Sequence, residues 1–397
     1  MKSLCRLLLA ATCATTSILP AFAADPGITD TNIKLGNTMP YSGPASGYSA
    51  VGKTEAAFFK MLNDKGGING RRIEFISVDD GYSPPKTVEQ TRKLVEQDEV
   101  FAMVGSLGTP TNIAVQKYLN TKKVPQLLPF SGASRWNDAA HFPWTTGTQP
   151  SYQTEGAIYA KWIVKTKPDA KIAIITPNDD AGRDYVKGFK AGLGARVGQI
   201  VAEAVYETTD PTVDSQIVAF KNAGADMFFN ECTPKFAAQA LKKAAEIGWK
   251  PQIILPTVSN SVSAVLKPLG LENAKGIVTG AYMKDPTDKA WTDDPGMKEF
   301  RAFMQKYNPG ADPDDSFNVS GYTFATIAAM ALQNAGRDLS REGLMKAMQS
   351  FRDVAIPTLL PGITVTTSAE NVVPVRQLQM ARFDGTSWVL FGDVLSE

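Results

Sequence analysis

From residue 33 onward, short apolar runs alternate with amphipathic stretches of helical period, and the alternation runs through twice. Residues 33–37, 72–78, 100–105 and 124–129 read as strands, with helices over 48–65, 84–97 and from Thr109 onward between them. Gly66-Gly67 closes the first of these helices and Pro84-Pro85 opens the second. Strand–helix–strand order of this kind implies parallel pairing, because a helical crossover returns the chain to the same end of the sheet, and the crossover is right-handed. The series then restarts, with helices at 152–166, 182–193, 212–223 and 234–247 and strands at 171–176, 199–206, 226–230 and 252–256. Further helices are expected at 295–306, 319–335 and 341–349, and a hairpin over 375–383 and 388–394, turning at Asp384-Gly385, ends the chain. Two such series in 397 residues, at about 100–200 residues per domain, imply an α/β protein of two doubly wound parallel-sheet lobes. The polar segment 145–151, carrying Gly147 and Pro150, is the expected first passage between them.

The first 23 residues read as an export signal. Lys2 and Arg6 form a short basic region, residues 7–19 are mostly apolar, and Ala21-Phe22-Ala23 is a small-x-small cleavage site. The apolar stretch is too short to span a bilayer, and no other segment holds 18 consecutive apolar residues, so no direct membrane insertion is expected. Cleavage after Ala23 removes Lys2, Arg6, Cys5 and Cys13. The 41 basic residues then fall one below the 40 acidic ones, which is not the footprint of a nucleic-acid binder. Cys232 remains as the single thiol, so no intramolecular disulfide can form even in an oxidising compartment.

Several motifs invite chemistry that their surroundings do not support. Residues 47–54, running from Gly47 to Gly52-Lys53-Thr54, match the phosphate-loop pattern G-x-x-x-x-G-K-[ST]. That loop needs a strand leading straight into it, whereas the polar, proline-bearing stretch 40–46 intervenes. His141 is the one histidine, which excludes a multi-His zinc site and any catalysis by paired histidines. Cys232 has no histidine near it in sequence, and no G-x-S-x-G elbow occurs. Asp312, Asp314 and Asp315 precede a helix without the ligand ladder of a calcium loop, so capping accounts for them better. No catalytic residue, metal or cofactor is expected.

Two loops carry more. Residues 105–111, including Leu107, Gly108 and Thr109, join a buried strand to a helix, and Ser131-Gly132-Ala133-Ser134 follows another strand. Both fall at the carboxyl edge of the first sheet, where open α/β folds take ligands. Free amides and hydroxyls there suit a carboxylate, with about 0.3–1 kcal/mol from the helix terminus and about 1.5–3 kcal/mol from each bond to a charged group. Ordinary helix capping by Thr109 and Ser131 is the alternative reading.

The order of short motifs resembles the branched-chain amino-acid-binding (leucine/isoleucine/valine-binding) family of periplasmic ABC-transporter solute receptors. The likeness rests on Ile33-Lys34-Leu35-Gly36 leading to Ser42-Gly43-Pro44, on residues 63–70 (Asn63-Asp64-Lys65-Gly66-Gly67-Ile68-Asn69-Gly70), on Asp79-Asp80, on 108–111 and on Gly132-Ala133-Ser134, and it covers nearly the whole mature chain. It implies a type I periplasmic binding protein whose three-segment hinge lets two lobes close on a solute. The lobes would comprise residues 24–148 plus 283–361 and residues 149–282 plus 362–397, with the second and third passages near 281–284 and 361–363.

Carried over by that resemblance, Tyr48 is an aromatic wall residue, Leu107, Gly108 and Thr109 form the first carboxylate loop, and Gly132, Ala133 and Ser134 the second. In the second lobe Ala181 stands where amino-acid binders have a tyrosine, Cys232 falls near another family tyrosine, and Thr257 replaces the acid that pairs with the ligand ammonium. The family's disulfide pair is replaced near Tyr82 and at Gly108. Glu231 can replace the lost acid, and the volume freed at Ala181 favours a larger, aromatic acid whose ring lies against Tyr48 and Tyr152. The expected function is a monomeric periplasmic receptor for a small carboxylate, amino acid or aromatic or organic acid, delivered to an ABC-transporter permease with its cytoplasmic ATPase. The rivals are a periplasmic sensing module acting through a signalling partner, and a periplasmic enzyme.

Overall fold

The computed structural model describes residues 25–336 and 339–396; the export signal and its cleavage point lie outside them. The first series builds β1 (Asn32–Met39), α1 (Ser49–Asp64), β2 (Arg72–Asp79), α2 (Pro84–Glu96), β3 (Ala102–Val104), α3 (Thr109–Thr121) and β4 (Gln126–Leu127). These four strands form one parallel sheet in the order β2-β1-β3-β4. The expected strand over 124–129 shrinks to two residues. Pro125 and Pro129 cannot donate to a ladder, and Leu128 takes a left-handed backbone at φ 54°.

The second series gives α4 (Tyr152–Thr166), β5 (Ile172–Pro177), α5 (Asp180–Leu193), β6 (Ile200–Tyr206), α6 (Asp214–Asn222), β7 (Met227–Asn230), α7 (Pro234–Glu246), β8 (Gln252–Ile254), the single turn α8 (Leu271–Ala274) and β9 (Val278–Ala281). The chain then makes α9 (Pro295–Tyr307), α10 (Ser316–Ala335) and α11 (Arg341–Met348) before a closing hairpin, β10 (Leu378–Phe383) and β11 (Trp388–Leu395). The second sheet runs β11-β10-β9-β8-β7-β5-β6. Its interior strands are parallel, and the hairpin adds antiparallel strands beside β9.

Helices α9 and α10 pack on α1, so the stretch after β9 returns to the first sheet, while β10 and β11 lie in the second. Gly321 is what lets α10 approach α1, since a Cβ there would stand 2.4 Å from the Val51 carbonyl oxygen. Three stretches linking the lobes hold one another. Gly147 N–H donates to Val372 O (3.0 Å), Lys284 N–H to Thr358 O (2.9 Å) and Leu360 N–H to Tyr282 O (3.0 Å). One apolar core runs through both lobes, from Ile33, Phe59 and Phe101 to Ile172, Phe229 and Val278, and a second, around Phe228, Phe236 and Trp249, belongs to the second lobe.

Candidate functional site

The first lobe's contribution begins at α3. Its N-cap is Gly108, at φ 103° with no side chain to cap the first amides; Pro110 has no N–H and Asn112 N–H donates to Gly108 O (3.4 Å), which leaves the Thr109 and Thr111 amides at the carboxyl edge of β3. The two loops expected to hold a carboxylate zip together: Phe130 N–H donates to Ser106 O (2.9 Å) and Gly108 N–H to Phe130 O (3.2 Å). Thr109 Oγ1 lies 2.6 Å from Ser131 Oγ. Ser131 already accepts from Trp136 Nε1 (2.9 Å) and from Ala133 N–H (3.2 Å). Its proton can go to the Thr109 hydroxyl or to the nearby Tyr152 phenol oxygen, so the Thr109–Ser131 bond can run in either direction.

Tyr48 ends the 3-10 turn Ser46–Tyr48 ahead of α1. Its ring lies edge-on to Phe130 (6.0 Å between centroids) and against Phe317 (5.0 Å), and its phenol donates to Val258 O in the second lobe (2.9 Å). The two lobes are thus in contact across the gap. Tyr152 opens α4, stacks on Tyr185 at 4.4 Å, and brings its phenol oxygen beside the Gly132 amide and the Ser131 hydroxyl. Burial pushes the Tyr48 and Tyr152 phenols well above their ordinary range, so both remain donors.

The second lobe supplies acid. Glu231 follows β7, is 3% exposed, and has one carboxylate oxygen, Oε2, without a hydrogen-bond partner. Burial raises its pKa well above the ordinary carboxylate range, and the nearby Asp179 and Glu155 push it further in the same direction. Asp179 caps α5 through the Ala181 and Gly182 amides (2.8 and 3.2 Å), and burial raises it too. Both acids act on the Tyr48 and Tyr82 phenols, and Glu231 also acts on Tyr152, which groups these side chains in one place.

Not every expected residue joins them. Ser134 sits at the surface, where its amide and hydroxyl both donate to Asp184 on α5 (2.7 and 3.1 Å). Cys232 is fully buried in the second lobe's own core, and its carbonyl is taken by the Ser259 hydroxyl. Thr257 donates its amide (2.7 Å) and hydroxyl (2.9 Å) to Glu155, which also accepts from Tyr159 (2.6 Å) and Tyr185 (2.9 Å). Ala181 lies in the first turn of α5, its amide held by Asp179. Leu107 is buried against Tyr48 and Phe130, and Gly132 and Ala133 form the wall beside Tyr152.

Two residues of the group escaped the sequence reading of the site: Asp179 and Tyr82. Tyr82 adopts φ 60°, a left-handed turn after Gly81. Its ring fills the space in front of Gly108, where a Cβ would stand 2.5 Å from Tyr82 Cε2. The aspartate-glycine turn before Tyr82 was the available signal. A hollow nearby, lined by Thr257, Phe317 and the 282–285 stretch, holds only about 40 Å³, far below the roughly 300 Å³ at which small-molecule pockets begin.

Among known proteins, a family model described as periplasmic binding protein matches residues 32–387. Leu/Ile/Val-binding protein homolog 7 of Brucella abortus (strain 2308) is 24% identical over 320 residues, covering 76% of this chain and 77% of that protein. A branched chain amino acid ABC transporter structure from Thermus thermophilus with bound valine aligns with a TM-score of 0.82 at 16% identity, over 93% of this chain and 98% of that one. The solute binding protein of an ABC transporter from R. palustris in complex with benzoate aligns with a TM-score of 0.77 at 22% identity, over 92% and 98% of the two chains. At these identities the two structures speak for a shared fold. Among the described residues no helix is long and apolar enough to cross a membrane.

Proposed function

This chain belongs to the periplasmic binding protein family, and from that premise we propose that it is a periplasmic solute receptor. It captures a small carboxylate by lobe closure and hands it to an ABC importer. The observation that carries this reading is the opposed polarity across the gap spanned by Tyr48. The first lobe offers the α3 amides and the Thr109 hydroxyl, which suit a carboxylate, and the second offers Glu231 with an unpartnered oxygen, which suits a cation or a hydrogen-bond donor. Contacts to both lobes at once exist only when the lobes are together, so the ligand shifts the equilibrium toward closure. The valine and benzoate carried by the two fold neighbours support the carboxylate class. Delivery to a permease is supported by their description as parts of ABC transporters.

Thermal melting of the mature protein against valine, leucine, benzoate and hydroxybenzoates tests the proposal. A ligand at about a hundred times its Kd adds about 2.7 kcal/mol to folding stability, so a saturable rise in Tm is expected with at least one acid. Tyr48→Phe, which leaves Val258 O without its partner, should weaken that ligand about 5- to 150-fold. No rise with any carboxylate, in protein with intact circular dichroism, defeats the reading. Calorimetry in buffers of different ionisation enthalpy then separates the ligand types. An ammonium pairing with Glu231 favours its ionised form, against the direction in which burial moves it, so proton release is expected with an amino acid and none with a phenol ligand.

A further inference from the structure

We infer that a second binding site, for a small polyvalent anion carrying carboxylate or phosphate groups, lies beside the hinge and shares the loop of Gly132, Ala133 and Ser134 with the cleft. A cavity of about 500 Å³ opens there between the two lobes. Lys161 of α4, Lys187 of α5 and Arg376 of the last passage line it, with Gln149, Asn137 and Asn371 completing the polar surface. Among the described residues no aspartate or glutamate lines it. Among the described residues, none of the three cations belongs to an ion pair.

The uncharged groups point to the same chemistry. Asn137 and Asn371 spend their side-chain oxygens on the Val372 amide (3.0 Å) and the Val373 amide (3.2 Å), leaving their NH2 groups as donors. Gln149 is 1% exposed; its oxygen faces the Tyr282 phenol at 3.4 Å, while its Nε2 has no partner. Two acids stand near. Asp184 at its rim accepts from Ser134 and Gln153, and Asp353 lies in the adjoining hollow with its carboxylate on the Thr366 hydroxyl. Three cations lining one hollow of this volume, with a single acid at its rim, suit a tricarboxylate or a phosphate compound better than a monocarboxylate. The walls come from both lobes and from two of the passages between them, so the site is whole in the closed arrangement described above.

The test is calorimetric titration of the ligand-free mature protein, at fixed ionic strength, with citrate and separately with inorganic phosphate. Saturable binding of either anion is expected, and which one binds tells carboxylate from phosphate recognition. Lys187→Gln and Arg376→Gln should each weaken it about tenfold or more, as loss of a charge-assisted bond does. Lys190→Gln, one turn from Lys187 but paired with Glu203 at 2.8 Å, should leave it unchanged. Glu231→Gln, which alters the cleft but neither of the hydrogen bonds that tie the lobes together, should also leave it unchanged, so a failure here is separable from a failure of the receptor reading. The inference is overturned if neither anion gives saturable heat, if both cavity variants bind like the parent, or if Glu231→Gln abolishes the binding.

Discussion

Glu231 concentrates the residue-scale question, because a buried carboxyl with an unpartnered oxygen must either hold its proton or find a cation. Its folded-state pKa lies above the value in an unfolded chain. The stability it contributes is therefore complete below the ordinary carboxylate range and is lost as pH rises through the higher folded value. Ligand-free protein should lose stability as pH rises above the ordinary carboxylate range, and Glu231→Gln should flatten that slope by removing the group that resists deprotonation. Asp179 and Glu155, raised by burial in the same way, keep part of it. Urea denaturation of both proteins across that rise in pH checks this, and parallel slopes would refute the assignment. Sequence reading offered Thr109 from the pattern of loop ends after strands, and Tyr48, Tyr152 and Glu231 through the family resemblance. It could not reach Tyr82 or Asp179. The direction of the Tyr82 ring depends on a left-handed φ, and Asp179 reads from sequence as a helix cap and nothing more.

At the scale of elements, the helix and strand periods carried most of the information. The departures come where backbone chemistry overrides apolar pattern, as in β4 between two prolines and in the late start of β10 at Leu378. What period does not reveal is how closely two helices approach. Thr54 on α1 donates to Asn318 on α10 at 2.7 Å, and Gly321 one turn along has no Cβ to hold the helices apart. Gly321→Ala would press a methyl group to 2.4 Å from Val51 O. Because backbone cannot rotate away as a side chain can, the helices must separate, at a cost of about 1–3 kcal/mol. A urea midpoint equal to that of the parent would show that the α1–α10 contact is looser than described.

For the molecule as a whole, the governing quantity is the balance between open and closed lobes. Tyr48 to Val258 is one tie across the gap, and Ser134 with Gln153 on Asp184 is another at the rim. The second is what Ser134 does in place of the expected ligand contact. Asp184→Ala removes three accepted hydrogen bonds while leaving the two cores intact. The ligand-free variant should therefore show a larger radius of gyration in solution scattering, and its apparent Kd should rise several-fold as the competent fraction falls. Identical scattering and affinity would mean that the rim contact does not bias closure.

The sequence by itself determined the elements, their parallel order and the two-lobed plan, because hydrophobic period and turn chemistry are local properties that each segment carries alone. It also determined that a single histidine cannot supply a multi-histidine metal site or catalysis by paired histidines. Only the tertiary structure decided which side chains share the gap. Ser134, Cys232 and Thr257 are drawn to Asp184, the second core and Glu155, while Tyr82 and Asp179 turn inward. The reason is that a loop side chain goes where hydrogen-bond partners and free volume are, and both are set by elements distant in the chain.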